Sequence, residues 1–188
     1  MLFTMQRTYL AIDLRGYPSD FYEKVCQVVP APEGEHPPEG LWGAEIESPF
    51  QLKNLPKAPL VFARGGSVQK NREFLSSVRV DVLSRPYPFD SVQARLSAKN
   101  NIAVELCFAE IRDTYGYVRA KILNNLQKTV KLARKYHAPL IVTSGAACEE
   151  EVVSPRQLVA FGKVLGMDYP EAKASIYTIP NLVLEGFE

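Results

Sequence analysis

Short apolar runs of strand length recur along the whole chain, and the stretches between them can be helical. The runs are "TYLAIDL" (8–14), "LWGAEI" (41–46), "PLVFAR" (59–64), "VRVDVL" (78–83), "NIAVELCF" (101–108), "PLIVTS" (139–144) and "NLVLEG" (181–186). Strands that alternate with helices are joined by right-handed crossovers and lie parallel, in a sheet that is either open and doubly wound or closed into a barrel. Two features favour closure. The intervals are short and fairly even through the first five strands, and no strand runs into the glycine fingerprint of a dinucleotide-binding fold. Seven strands fall one short of the eightfold barrel, so the expected fold class is α/β, an irregular or incomplete TIM-like (β/α) barrel. At 188 residues and 46% hydrophobic, the chain suffices for one core, and a single domain over 1–188 is expected.

The punctuation between the runs is uneven. "PAPEGEHPPEG" (30–40) holds four prolines and three glutamates and reads as an exposed, solvated excursion between the first helix and the second strand. Ser154 followed by Pro155 marks a helix start, Leu158, Phe161, Gly162 and Leu165 make its apolar stripe, and Gly166 stops it. A second short helix is expected to begin at Pro170 and end before Pro180.

Several function classes are disfavoured. With 22 basic and 21 acidic side chains the formal charge is +1, so any nucleic-acid surface must be local. Three cysteines without paired spacing suit reduced thiols in a cytoplasmic setting, and neither a secretory leader nor a membrane span is read in the sequence. A metal-dependent hydrolase on such a barrel needs several histidines and carboxylates at the strand ends. Only His36 and His137 are present, in the proline-rich loop and at the end of a long helix, so neither a metal site nor a cofactor is expected. Cys107 and Cys148 lack a neighbouring histidine base and read as structural thiols. Asp13, Glu45, Asp81 and Glu105 lie in strands, where they form an interior acid–base set or else pair with arginines and solvent.

The strongest anomaly is electrostatic. From Thr114 to Cys148 there is no acidic residue, while Arg119, Lys121, Lys128, Lys131, Arg134 and Lys135 all fall inside that stretch. At about 100° per residue, Lys121, Lys128, Lys131 and Lys135 share one narrow stripe of a helix, opposite Ile122, Leu126, Val130 and Ala133. A purely solubilising face normally mixes both signs. Arg119 falls on the apolar side near the end of the fifth strand. Arg64, Arg85 and Arg112 follow the third, fourth and fifth strands, so arginines gather on the rim that barrels use for ligands. They either hold phosphate together with Thr143, Ser144 and the amides after Gly145, or neutralise Asp81, Glu105 and Glu110. No histidine or lysine accompanies Ser144, which makes "TSGA" the exit turn of its strand rather than a nucleophile motif, with a phosphate cradle at Thr143, Ser144 and Gly145 as the alternative.

The run "VRVDVLSRPYPFD…LSAKNNIAVELCFAEIRDTYGYVRAKILNNLQKTVKLARKYHAPLIVTSGA", followed by "SPRQLVAFGKVLGMDYPEAKASI", resembles the archaeal ribonuclease P protein component 3 family, counterpart of the eukaryotic thirty-kilodalton subunit family. The likeness spans roughly residues 77–186, and in the first third only the early strand with Asp13 is shared. It implies a barrel related to metal-dependent phosphoesterases but without their ligands, and a role in removing the 5′ leader of precursor tRNA. In that family the catalyst is an RNA with bound magnesium. The protein supports it beside protein component 2 and other ribonuclease P proteins, meets precursor tRNA only indirectly, and has no catalytic residue, metal or membrane of its own. The implied RNA-binding set is Arg64, Arg85, Arg112, Arg119, Lys121, Lys128, Lys131, Arg134 and Arg156, with lysines on the RNA backbone. Two rivals stand beside it. One is a self-sufficient barrel enzyme acting on a phosphorylated or carboxylated metabolite through Arg64, Arg85, Glu105 and Ser144; the other is a scaffold for protein partners alone.

Overall fold

A computed structural model describes residues 10–31, 39–55 and 57–186. Its strands are β1 (Ile12–Asp13), β2 (Lys24–Val25), β3 (Gln27–Pro30), β4 (Trp42–Ile46), β5 (Leu60–Arg64), β6 (Val82–Ser84), β7 (Ala103–Cys107) and β8 (Leu140–Thr143). Its helices are α1 (Val68–Leu75), α2 (Ser91–Asn100), α3 (Ala109–Arg112), α4 (Gly116–Tyr136), α5 (Pro155–Val164), α6 (Tyr169–Ala174) and α7 (Thr178–Glu185). Strands β3 to β8 form one parallel sheet in chain order, and β1 pairs in parallel with β2. β2 and β3 are one stave interrupted at Cys26, whose amide donates to the Asp13 carbonyl at 2.8 Å.

The ring closes without a further strand. Between β8 and β1 lies the turn at Ser175 and Ile176, where Ile12 N–H donates to the Ile176 carbonyl at 2.8 Å and Val142 N–H to the Ser175 carbonyl at 3.0 Å. Higher up, Gly145 N–H donates to the Arg15 carbonyl at 2.8 Å. The result is an incomplete parallel barrel whose gap is filled by irregular main chain, as the count of strands in the sequence led one to expect.

Residues alternate between an inner and an outer face, and both faces are apolar because both are covered. Inward, Leu60, Phe62, Val82, Ala103 and Ile141 meet Ile12 and, from α7, Val183. Outward, Val61, Ala63 and Leu83 pack on Phe74 and Leu75 of α1. Leu106 and Val142 pack against Leu126 and Val130 of α4 and Leu158 and Phe161 of α5. Helix α5 begins as expected, with Pro155 in its first turn and the Gln157 side chain accepting from Ser154 N–H at 2.7 Å.

Two expected elements are absent among the described residues. "NLVLEG" is not a strand: it ends α7, which lays Ile179, Val183 and Leu184 against the inner cluster at helical spacing. The second short helix stands as expected: α6 has Pro170 in its first turn and ends before Pro180, which sits in the first turn of α7, where its missing N–H costs nothing. No helix separates β1 from β4 among the described residues; "KVCQVVP" runs there as the interrupted stave instead. The excursion at 30–40 thus follows a strand, and its residues 32–38, His36 included, lie outside the described residues. The fourth expected strand starts late, at Val82, and Val78 is fully exposed.

Candidate functional site

At the carboxyl end of the strands the inner face turns from apolar to polar, presenting Glu45, Ser84, Glu105 and Thr143. Arg15, just past β1, threads into this layer. Its Nε donates to Glu105 Oε1 at 2.8 Å, and Nη2 donates to Glu45 Oε1 at 2.7 Å and to Ser84 Oγ at 2.9 Å. The guanidinium lies 5.0 Å from the centroid of the Phe62 ring, and Thr143 Oγ1 donates to Glu105 Oε1 at 2.8 Å. Burial alone would lower the Arg15 pKa, but the Glu105 and Glu45 carboxylates beside it hold it above the ordinary arginine range. Arg15 is therefore a fixed cation clamped by two acids across the barrel mouth, and removing it would leave both carboxylates, Glu105 fully buried, without their cation.

Asp13 is buried beside this clamp. Burial pushes its carboxyl up to about 7, even though Oδ1 accepts from Ser144 N–H at 3.1 Å and from Arg15 N–H at 3.2 Å. Glu110 is likewise raised to about 7 by burial, against the lowering effect of Arg85, and accepts from the Tyr87 hydroxyl at 3.4 Å. Burial pushes the Cys26 and Cys107 thiols up to about 12, the opposite of what a thiolate nucleophile needs. Of the four strand acids, Glu45 and Glu105 are thus paired with arginine rather than poised as an acid–base set. Asp81 does other work: its Oδ2 accepts from Val61 N–H at 2.7 Å at the opposite end of the sheet.

The phosphate cradle at Thr143, Ser144 and Gly145 does not hold, because the donors it needs are spent inside the fold. Ser144 N–H serves Asp13, Gly145 N–H serves the Arg15 carbonyl, and Ala146 N–H donates to Ser144 Oγ at 3.1 Å. Gly145 has φ +66°, and a Cβ there would lie 2.5 Å from Cys107 Sγ, so this turn demands glycine. "TSGA" is the exit turn that completes the barrel seam.

The rim arginines meet acidic neighbours, and Arg112 and Arg85 both act on Asp113, holding its carboxyl below the ordinary range. Arg64 pairs with Glu47 at 3.3 Å, Arg85 lies 4.0 Å from Glu110, and Arg112 is held by Asp113 at 2.6 Å and Glu151 at 3.0 Å. Arg156 is exposed in the first turn of α5. Arg119 is not on a buried side: residues 116–121 of α4 are exposed all round, and its Nε donates to the Thr114 carbonyl. Helical spacing fixes an azimuth but not how far the neighbouring elements extend, and here the packed part of α4 begins only at Ile122. Arg134, expected among the RNA contacts, makes a forked ion pair with Glu171 and a bond to the Gly166 carbonyl at 2.7 Å.

The stripe itself stands as read. Lys121, Lys128, Lys131 and Lys135 are exposed on α4, while Leu126, Thr129, Val130 and Ala133 are buried. Lys121, Lys128 and Lys131 have no ion-pair partner among the described residues. A groove of about 540 Å³ opens at the far end of the sheet between α4, α6 and α7, lined by apolar residues such as Ala133, Leu140 and Met167. Among the described residues no three or more histidines, cysteines or carboxylates come together as a metal group, and no helix is long and apolar enough to cross a membrane.

Sequence reasoning missed Arg15 and Tyr87. The one local sign of Arg15 was its position two residues after a strand aspartate, in "IDLRG".

Comparison with known proteins follows the same lines. The family model for RNase P subunit p30 matches residues 46–187. Ribonuclease P protein component 3 of Methanothermobacter thermautotrophicus is 36% identical over 135 residues, covering 69% of this chain and 55% of that protein. The chain thus spans little more than half the length of that relative. Among solved structures, a chain in archaeal ribonuclease P with mature tRNA aligns at TM-score 0.75 and 22% identity, covering 86% of this chain and 80% of that one. Ochratoxinase of A. niger aligns at TM-score 0.58 and 12% identity, covering 77% of this chain and 39% of that one, which is a likeness of barrel fold alone.

Proposed function

The chain belongs to the RNase P subunit p30 family, and from that premise we propose that it is a protein subunit of ribonuclease P. In this reading it braces the catalytic RNA in the cytoplasm while the RNA, with its own magnesium, removes the 5′ leader of precursor tRNA. Its partners are the ribonuclease P RNA, protein component 2 and the other ribonuclease P proteins, with precursor tRNA contacted through the particle.

The observation that carries this reading is α4. Three lysines without ion-pair partners among the described residues stand on one exposed stripe of an acid-free helix. Lysines on phosphates release counterions, which gives strong, salt-dependent, sequence-tolerant affinity suited to holding a folded RNA against its own repulsion. At the barrel mouth Arg15 pairs with both Glu45 and Glu105, which suits those two acids to holding the fold.

The test is cleavage of precursor tRNA by ribonuclease P RNA at limiting magnesium, with protein component 2 present and this protein added or omitted. Marked rescue only when both proteins are present is the expected result. A well-folded protein that gives no rescue would remove the subunit reading and return attention to a metabolite-directed barrel.

A further inference from the structure

The lysine stripe does not end at Lys121. At 100° per residue, Tyr117 lies within about 40° of Lys121, Lys128, Lys131 and Lys135, so it heads the same stripe, about 27 Å long from Tyr117 to Lys135. Tyr117 is 82% exposed and Tyr115 is 85% exposed. They flank Gly116, whose φ of +57° turns the chain into the helix with open space around it. Neither hydroxyl has a hydrogen-bond partner and neither ring stacks on another among the described residues, unlike Tyr22 and Tyr87, whose hydroxyls are both engaged. Each tyrosine has a cation one helical turn on, Arg119 after Tyr115 and Lys121 after Tyr117.

Two exposed tyrosines on an overhanging helix end, with cations beside them and no acid from Thr114 to Cys148, have the chemistry of a single-strand nucleotide site. Aromatic faces accept unstacked bases, and neighbouring cations take the phosphates. We propose that the first turn and a half of α4 captures unpaired RNA nucleotides, with the rings of Tyr115 and Tyr117 stacking on bases and Arg119 and Lys121 on the adjoining phosphates. This rests on the ribonuclease P reading and adds a preference to it: the rest of the stripe follows backbone charge of any RNA, whereas its head selects strands whose bases are free. A protein partner would also suit tyrosine and arginine, but the run of uncompensated lysines leading away from Tyr117 favours a polyanion.

The test compares the whole protein with its Tyr115→Ala/Tyr117→Ala and Tyr115→Phe/Tyr117→Phe variants, binding a short fluorescent single-stranded RNA and the matching duplex. Because both rings stand free of the core, all three proteins should have the same far-ultraviolet circular dichroism. The alanine variant should lose about tenfold in single-strand affinity and change less than twofold on the duplex, while the phenylalanine variant keeps the wild-type preference. Equal losses on both RNAs, no loss on either, or loss in the phenylalanine variant too would overturn stacking. So would retention of 4-thiouridine crosslinks by the alanine variant in the reconstituted particle, or loss of protein–subunit association with those crosslinks intact. Failure here is separable from failure of the subunit reading: the first leaves cleavage rescue by the wild-type protein standing, the second removes it whatever the oligonucleotides do.

Discussion

Asp13 shows how a single side chain carries a cost for the seam it builds. Its carboxyl accepts from two main-chain amides that join β1 to the turn after β8, yet burial raises its pKa to about 7. The folded state therefore holds that proton more tightly than the unfolded chain, whose aspartate titrates near its ordinary value. Stability from this group is whole below about pH 4 and falls as the pH rises towards 7, after which the loss is constant. Asp13→Asn keeps an oxygen for both amides and carries no charge. It is expected to stabilise the protein by about 2 kcal/mol at pH 8, with the gain fading towards pH 4. Urea unfolding of both proteins across that range measures it. Parallel curves would mean that Asp13 does not titrate there, and the slope left in the variant includes Glu110 and Asp81, both raised in the same direction by burial.

At the scale of elements, α4 separates charges that hold the fold from charges that do not. Changing Lys121, Lys128 and Lys131 together to alanine removes no ion pair among the described residues and keeps good helix formers, so stability should hold. RNA affinity should fall, and the slope of log affinity against log salt should flatten by about 2 to 3, as expected for three lost phosphate contacts. Arg134→Ala should do the reverse, costing about 0.5–1 kcal/mol through its pair with Glu171 while leaving the salt slope near wild type. Titrations at several salt concentrations and urea curves decide both, and an unchanged slope in the triple variant would rule out the stripe as a phosphate track. The lysine stripe was readable from the sequence because helical period is local information. Arg134 looked like its companion because nothing local announces Glu171, 37 residues away. Arg15 was hidden for the same reason, its partners lying 30 and 90 residues off. "NLVLEG" misled because an apolar run that short fits a buried strand or a buried helix face equally well.

For the whole molecule, the decisive question is whether an incomplete barrel behaves as a closed one. Parallel sheets with open edges loosen first at those edges. Here the two edges are joined by the Ser175–Ile176 turn, both of whose residues are buried, and by Gly145 on the Arg15 carbonyl. If that seam is as strong as a strand, the amides of Ile12 and Val142 should exchange with solvent as slowly as those of β5 to β7, all through global unfolding. Hydrogen exchange read residue by residue tests this. Exchange at Ile12 and Val142 faster than the central strands by an order of magnitude or more would show a seam that opens alone. The outcome bears on function, because α4 packs on β7 and β8, the staves next to the seam, through Leu126 and Val130. A seam that stays shut holds the lysine stripe in a fixed direction relative to the rest of the barrel, and a stripe so held can brace an RNA; one that opens would let α4 swing with β8 and could follow the RNA but not restrain it.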